Sequence, residues 1–190
     1  MRVGASGRTR KGGSTPLVTT IRQAKGQANL AGVKVSLPTV LNSRLSVVDR
    51  ACTLAQFEAE DCARAEVGSA TAVTPLLKDP LRGAAYLVKD PAGGLPDVMI
   101  ALRGDVDLDV VGEVEIVPGS NRLVADFATI PDAPITKFTL RLFGGRNGPI
   151  GVVTNLCGRR ARNSRVAIAM RGQNGSTVNK SQRLRIRGCR

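Results

Sequence analysis

The four cysteines are the residues whose spacing limits their chemistry most. They fall into two groups, Cys52 with Cys62 and Cys157 with Cys189. Four cysteines allow three pairings, and pairing within each group is the simplest, because it staples one local segment and closes one C-terminal hairpin. A zinc site would need close ligand pairs and usually histidine, and the sequence has neither; four buried free thiols are the other alternative. We therefore predict one disulfide within each group, and with them an oxidising compartment.

The densest group of carboxylates alternates with apolar residues along one stretch. Its members are Asp105, Asp107, Asp109, Glu113 and Glu115. Calcium needs oxygen ligands that converge within about 2.3–2.6 Å, whereas side chains on one face of a strand repeat every ~6.5–7 Å. A flat stripe is a poor cage, so we expect no metal site. We interpret the stripe as a solvated surface, or as the partner of the alternating Arg183, Arg185 and Arg187.

Catalytic constellations are scarce in this sequence. Histidine is absent, which removes the commonest general base and the commonest metal ligand. No serine lies in a nucleophile elbow. Two carboxylates at strand or loop ends, Asp97 and Asp132, are the candidates for glycan chemistry by an acid and a base or nucleophile. We predict a protein that is not an enzyme and has no cofactor; a carboxylate-based, glycan-active enzyme is the less favoured alternative.

The net charge of +13 is unevenly distributed along the chain. Residues 1–48 contain eight basic and no acidic residues, and residues 133–190 contain thirteen basic and no acidic residues. All fifteen acidic residues, with seven basic ones, lie in residues 49–132. If the first and last strands are neighbours, the two basic segments form one surface.

Arginines concentrate near the C-terminus and are candidates for binding polyanions. Proteins that read single-stranded nucleic acids usually add aromatic platforms, and this region contains none. We therefore predict attraction to polyanions without specific nucleic-acid recognition. The candidate residues are Arg159, Arg160, Arg162, Arg165, Arg183, Arg185 and Arg187.

Apolar runs of strand length, separated by turn residues, recur through most of the chain. Period-two alternation between residues 105 and 116 is typical of a strand with one dry and one wet face. The regular spacing predicts a mainly β fold, an antiparallel β-sandwich (Ig-like or related) of roughly ten short strands. Helical spacing predicts one or two short helices near residues 43–65. We assign residues 1–15 as a flexible basic segment and residues 16–190 as a single domain.

Several phrases of the sequence are similar to a known but largely uncharacterised family. They are VGSATAVTPLL (Val67–Leu77), IPDAPITKFTL (Ile130–Leu140), TNLC (Thr154–Cys157) and GQNG (Gly172–Gly175). Over Lys25 to Cys189 the chain resembles a domain of large secreted or surface proteins of actinobacteria. The resemblance implies that the four cysteines occupy the family's positions and that such domains follow a signal peptide among other extracellular modules.

These observations favour a non-catalytic extracellular module, structural or adhesive, of a cell-envelope or secreted protein. The expected partner is an anionic envelope polymer or another domain of a larger surface protein. A basic nucleic-acid- or polyanion-binding protein is the alternative. No apolar run approaches the ~20 residues that span a bilayer, and the basic start of the sequence lacks the apolar core of an export signal.

Overall fold

Strands dominate the structure, and short helices occupy the connections between them. The computed structural model describes residues 1–189. Its helices are α1 (Leu45–Val48), α2 (Leu54–Glu58) and α3 (Arg159–Arg162). Its strands are β1 (Arg2–Ala5), β2 (Leu17–Arg22), β3 (Leu30–Ser36), β4 (Leu41–Ser43), β5 (Glu66–Val73), β6 (Leu81–Val88), β7 (Asp97–Arg103), β8 (Leu108–Val117), β9 (Arg122–Phe127), β10 (Lys137–Leu142), β11 (Ile150–Val152), β12 (Arg165–Gly172), β13 (Thr177–Arg183) and β14 (Arg185–Ile186).

Twelve of these strands form one sheet that almost closes on itself. Their order is β13-β12-β3-β9-β8-β7-β6-β5-β10-β2-β1-β14, and β11 pairs with β4 in a second, two-stranded sheet. The two edge strands, β13 and β14, are separated by Leu184 alone, so the chain passes directly from one edge to the other. Between the edges, the side-chain amide of Gln182, oriented to satisfy both backbone partners, donates to Met1 O at 2.9 Å and accepts from Val3 N at 3.0 Å.

The predicted mainly β class is confirmed, and the structure refines its architecture. The twelve strands form a nearly closed, barrel-like sheet and not two clearly separate sheets. The sheet is continuous because β3 pairs with β9 and β5 pairs with β10. These two pairings join the central strands, β5 to β9, to the strands on either side. Residues 1–189 form fourteen strands, more than the roughly ten predicted. The four shortest, β1, β4, β11 and β14, have only two to four residues, too few for a clear period-two signal.

The core lies inside this sheet, since alternate residues of each strand point inward. On β7, the inward residues Val98, Ile100 and Leu102 are all buried, and the last two are only 1% exposed. Burying such a side chain contributes about 1.5–3 kcal/mol. Inward apolar side chains surround an interior cavity of about 170 Å³.

Each end of the interior is covered by a connection. At one end lie α1 and the β4–β11 pair, where Val47 and Ile150 are buried. The other cover is residues 128–136, which connect β9 to β10 although these strands are five places apart in the sheet. Ile130 and Ile135 of this connection line the cavity.

The predicted helical segment near residues 43–65 is confirmed as α1, α2 and a 3₁₀ turn. The Thr53 side chain caps α2 by accepting from Gln56 N, and the Gln56 side chain accepts from Thr53 N at 2.9 Å in return. Phe57 of α2 packs against Tyr86 with ring centroids 5.8 Å apart, so α2 covers the outer face of β6 and β7. No helix within residues 1–189 is long and apolar enough to cross a membrane.

Residues 1–15, which were expected to be flexible, are part of the folded domain. Strand β1 pairs with β2 and with β14. Thr9 and Thr15 are buried, and the Thr15 hydroxyl donates to Ser6 O at 2.8 Å. The Gly- and Ser-rich composition of this segment predicted flexibility, but several of its non-polar and threonine side chains are buried against the rest of the domain.

Candidate functional site

Both predicted disulfides are present. The Cα atoms of Cys52 and Cys62 are 5.7 Å apart, and those of Cys157 and Cys189 are 5.4 Å apart. The first disulfide lies beside α2 on the outer face of the sheet. The second joins the C-terminal tail to the residue that immediately precedes Gly158 and α3. The second disulfide therefore joins two arginine-rich segments that are far apart in the sequence.

Three segments meet at the end of the sheet that the second disulfide closes. Leu156 N donates to Thr9 O at 2.8 Å, which joins residues 6–13 to residues 156–165. Leu184 N donates to Ser164 O at 2.9 Å, which joins residues 183–189 to the same place. We call the cations of these three segments the basic end. They are Arg8, Arg10, Lys11, Arg159, Arg160, Arg162, Arg165, Arg183, Arg185 and Arg187.

Every side chain of the basic end is exposed. Within residues 1–189, none of them lies within 4.0 Å of a carboxylate oxygen. Arg165 and Arg183 are directly opposite each other on β12 and β13, and Arg165 Nη2 donates to Ser181 O at 2.6 Å. A surface of like charges held close together and left unneutralised attracts anions and repels other cations.

The structure brings together all seven arginines that the sequence proposed. It adds Arg8, Arg10 and Lys11, which lie in the segment predicted to be flexible. The available signal was the alternation of Val3 and Ala5, which marks a leading strand. The backbone hydrogen bond from Arg187 N to Ala5 O, 2.9 Å long, shows how closely that strand approaches the tail.

The proposed pairing of the acidic stripe with Arg183, Arg185 and Arg187 is wrong. The stripe lies on β8 and the turn before it, and β8 is four strands from β13 in the sheet. Its cation is a neighbour on β7: Arg103 contacts Asp109 at 2.6 Å, and this hydrogen bond raises the pKa of Arg103.

Charge is segregated around the sheet as it is along the chain. Strands β5 to β9, all from the acidic segment, are contiguous, and the seven other strands of the large sheet come from the two basic segments. The first and last strands pair, with Gly4 opposite Arg185. The condition stated for a single basic surface, that the first and last strands are neighbours, is therefore met.

The two carboxylates proposed for glycan chemistry lie in different surroundings. Asp97 begins β7 and is half-buried; burial raises its pKa, and Asp90 and Glu113 add to that rise. Asp132 lies in the connection between β9 and β10 and accepts a hydrogen bond from Asn29 Nδ2 at 2.8 Å. Across residues 1–189, no three metal-ligating side chains are grouped closely enough to hold an ion.

A scan against protein-family models and searches of curated proteins and of solved structures find no match to this chain. The resemblance to an actinobacterial surface domain therefore stays a prediction.

Proposed function

We propose that the chain is a non-catalytic extracellular module that holds an anionic polymer of the cell envelope on its basic end. The observation that carries this proposal is the set of ten exposed cations, gathered from three distant segments, with no carboxylate within ion-pair distance among the described residues.

The distribution of these cations favours a polymer over a single small anion. Each exposed ion pair contributes only about 0.2–1 kcal/mol, so useful affinity requires many simultaneous contacts. A chain of repeated phosphates or carboxylates can contact several segments of the basic end at once, and the first contact raises the effective concentration for the next.

Other features support the compartment and the non-catalytic role. Two disulfides suit an oxidising environment outside the cytosol. The sequence contains no histidine, which disfavours general acid–base chemistry at neutral pH. Turnover of a glycoside, ester or peptide panel that is lost on mutating one residue would contradict the non-catalytic part of the proposal.

The direct test is a binding titration against four polymers at several salt concentrations. The polymers are poly(glycerol phosphate), inorganic polyphosphate, heparin and single-stranded DNA. We expect binding to all four, with the logarithm of the association constant falling linearly with the logarithm of salt concentration. Strong preference for DNA would support the nucleic-acid alternative instead.

Matched variants separate the basic end from net charge. Arg159→Glu, Arg162→Glu and Arg185→Glu together should weaken polyphosphate binding about tenfold or more, because several weak contacts are lost and repulsions are added. The control combines Arg64→Glu, Arg82→Glu and Lys89→Glu, exposed cations of the acidic segment, and makes the same change in net charge. Equal weakening by both sets would contradict a localised site.

A further inference from the structure

The nearly closed sheet has a gap where its two edges approach each other. Strand β13 pairs only with β12 along its length, and β1 covers β2 only from Leu17 to Thr20. The end of β2 and the start of β13 therefore face each other without a strand between them. The gap has a volume of about 310 Å³, and Arg22 and Lys180 are among its lining residues. We call it the seam mouth.

The seam mouth lies beside the interior cavity, and the two spaces share lining residues. Ile21, Gln23 and Leu30 line both the mouth and the interior cavity. Val178, near the start of β13, lines the mouth and is 43% exposed. Because β2 and β13 are not paired with each other, a molecule that passes between them breaks no strand pairing.

The interior cavity is lined almost entirely by apolar side chains. Among its lining residues only Thr19, Gln23 and Ser43 have polar side chains, and none has an ionisable one. Its volume of about 170 Å³ is close to that of the engineered apolar cavity of about 150 Å³ that stays dry and binds benzene. Such a space accepts a short apolar group and excludes a charged one, because a charge cannot be desolvated there without a partner.

The ionisable side chains at the seam mouth have one sign. They are Arg22 and Lys180, both exposed, and neither lies within 4.0 Å of a carboxylate oxygen among the described residues. An apolar interior behind two cations is complementary to a molecule with an apolar tail and a negative head.

We propose that the interior of this protein binds a single-chain amphiphile with an anionic head group. Its short apolar tail lies in the cavity, and its head lies at the seam mouth between Arg22 and Lys180. This site is separate from the basic end and does not depend on the proposed polymer binding.

Three probes with closely matched linear alkyl tails and different heads test the chemistry: octanoate, octan-1-ol and octyltrimethylammonium, each below its micelle concentration. Calorimetry and amide chemical shifts on the intact chain report binding. We expect one-to-one binding that is tightest for octanoate, weaker for octanol and weakest for the cation. The absence of saturable octanoate binding, or equal binding of all three probes, would overturn the proposal.

Variants locate the tail and the head separately. Ala125→Leu and Ala133→Leu each add side-chain volume at the cavity lining and should reduce binding of both octanoate and octanol at least tenfold. Two positions are used so that, if one variant fails to fold, the other still tests the proposal. Binding that persists in a folded, filled variant would place the probe on the surface and overturn the proposal.

The head group is tested by charge reversal at the mouth. Arg22→Glu with Lys180→Glu should weaken octanoate binding about five- to tenfold and leave octanol binding unchanged. Arg141→Glu with Arg146→Glu, two exposed cations outside the lining of the mouth, is the matched control and should change neither. An equal loss in the control pair would overturn the placement of the head.

Discussion

Strands β5 to β9 come from the acidic part of the chain, and the basic end comes from its two basic parts. The two regions differ in how far their charges are neutralised by ion pairs. On β5 to β9, two of the carboxylates form ion pairs, and in one of these Arg103 contacts Asp109 at 2.6 Å. Another carboxylate of the same group, Asp126, contacts Lys34 of β3 at 2.8 Å, and this hydrogen bond raises the pKa of Lys34. The cations of the basic end have no such partners among the described residues. The acidic region is thus partly neutralised within the molecule, whereas the basic end is left to an external anion.

The same comparison explains why each region carries its own disulfide. Cys52–Cys62 closes a short segment beside α2, and the strands it covers are already joined by consecutive hairpins. Cys157–Cys189 joins two arginine-rich segments that flank the β12–β13 hairpin and repel each other. We infer that the first disulfide stabilises the fold alone, whereas the second also assembles the basic end.

The largest predicted effect separates these two roles. Replacing Cys157 and Cys189 by Ser should lower the free energy of unfolding by about 4 kcal/mol, and replacing Cys52 and Cys62 should lower it by about 3 kcal/mol, because the longer loop loses more entropy on closure. Denaturant unfolding measures both values. Only the replacement of Cys157 and Cys189 should also weaken polyphosphate binding in a folded sample.

Both cysteine variants must be compared under conditions where they remain folded, as judged by circular dichroism. Equal loss of polyphosphate binding in the two variants would remove the distinction between the disulfides. Unchanged binding in the Cys157 and Cys189 variant would show that the basic end assembles without its disulfide.

A smaller effect is expected where the two edges of the sheet meet. Gln182→Ala removes two hydrogen bonds to the backbone of β1 and its preceding residue, and should lower the free energy of unfolding by about 1–2 kcal/mol. Gln27→Ala is the control, because the Gln27 side chain accepts only within its own turn, from Ala24 N at 3.0 Å. A loss at Gln182 no larger than at Gln27 would mean that this contact does not hold the edges together.

The smallest effect concerns a carboxylate of the acidic region. Burial raises the pKa of Asp97 in the folded protein, so between the unfolded and folded pKa values the folded state binds more protons and stability falls as pH rises. Asp97→Asn should therefore raise the melting temperature slightly at pH 7, and the gain should vanish at a pH below both values. Exposed Asp79→Asn is the control; a gain that is the same at both pH values would contradict the cause.

The features that could be predicted from the sequence are local. Period-two alternation identified β8, because successive side chains of that strand face the interior and the solvent in turn. The cysteine pairing followed from spacing, since the loops between partners are short enough to close. The charge segregation was readable directly, and its consequence required only that β1 and β14 be neighbours.

The features that could not be predicted depend on long-range pairing. Closure of the sheet requires β3 to pair with β9 and β5 with β10, and no local pattern encodes these partners. The two-residue strand β14 exists because β1 and the second disulfide hold it in place. The seam mouth was unpredictable for the same reason, since Arg22 and Lys180 are brought together only by closure.

The measurement that tests the central claim most directly is an amide chemical-shift titration of the intact, oxidised protein with a short polyphosphate. The account predicts saturable shifts in residues 6–13, 156–165 and 183–189, and unshifted amides on β5 to β9. Shifts spread evenly over the surface, or concentrated outside these three segments, would contradict it.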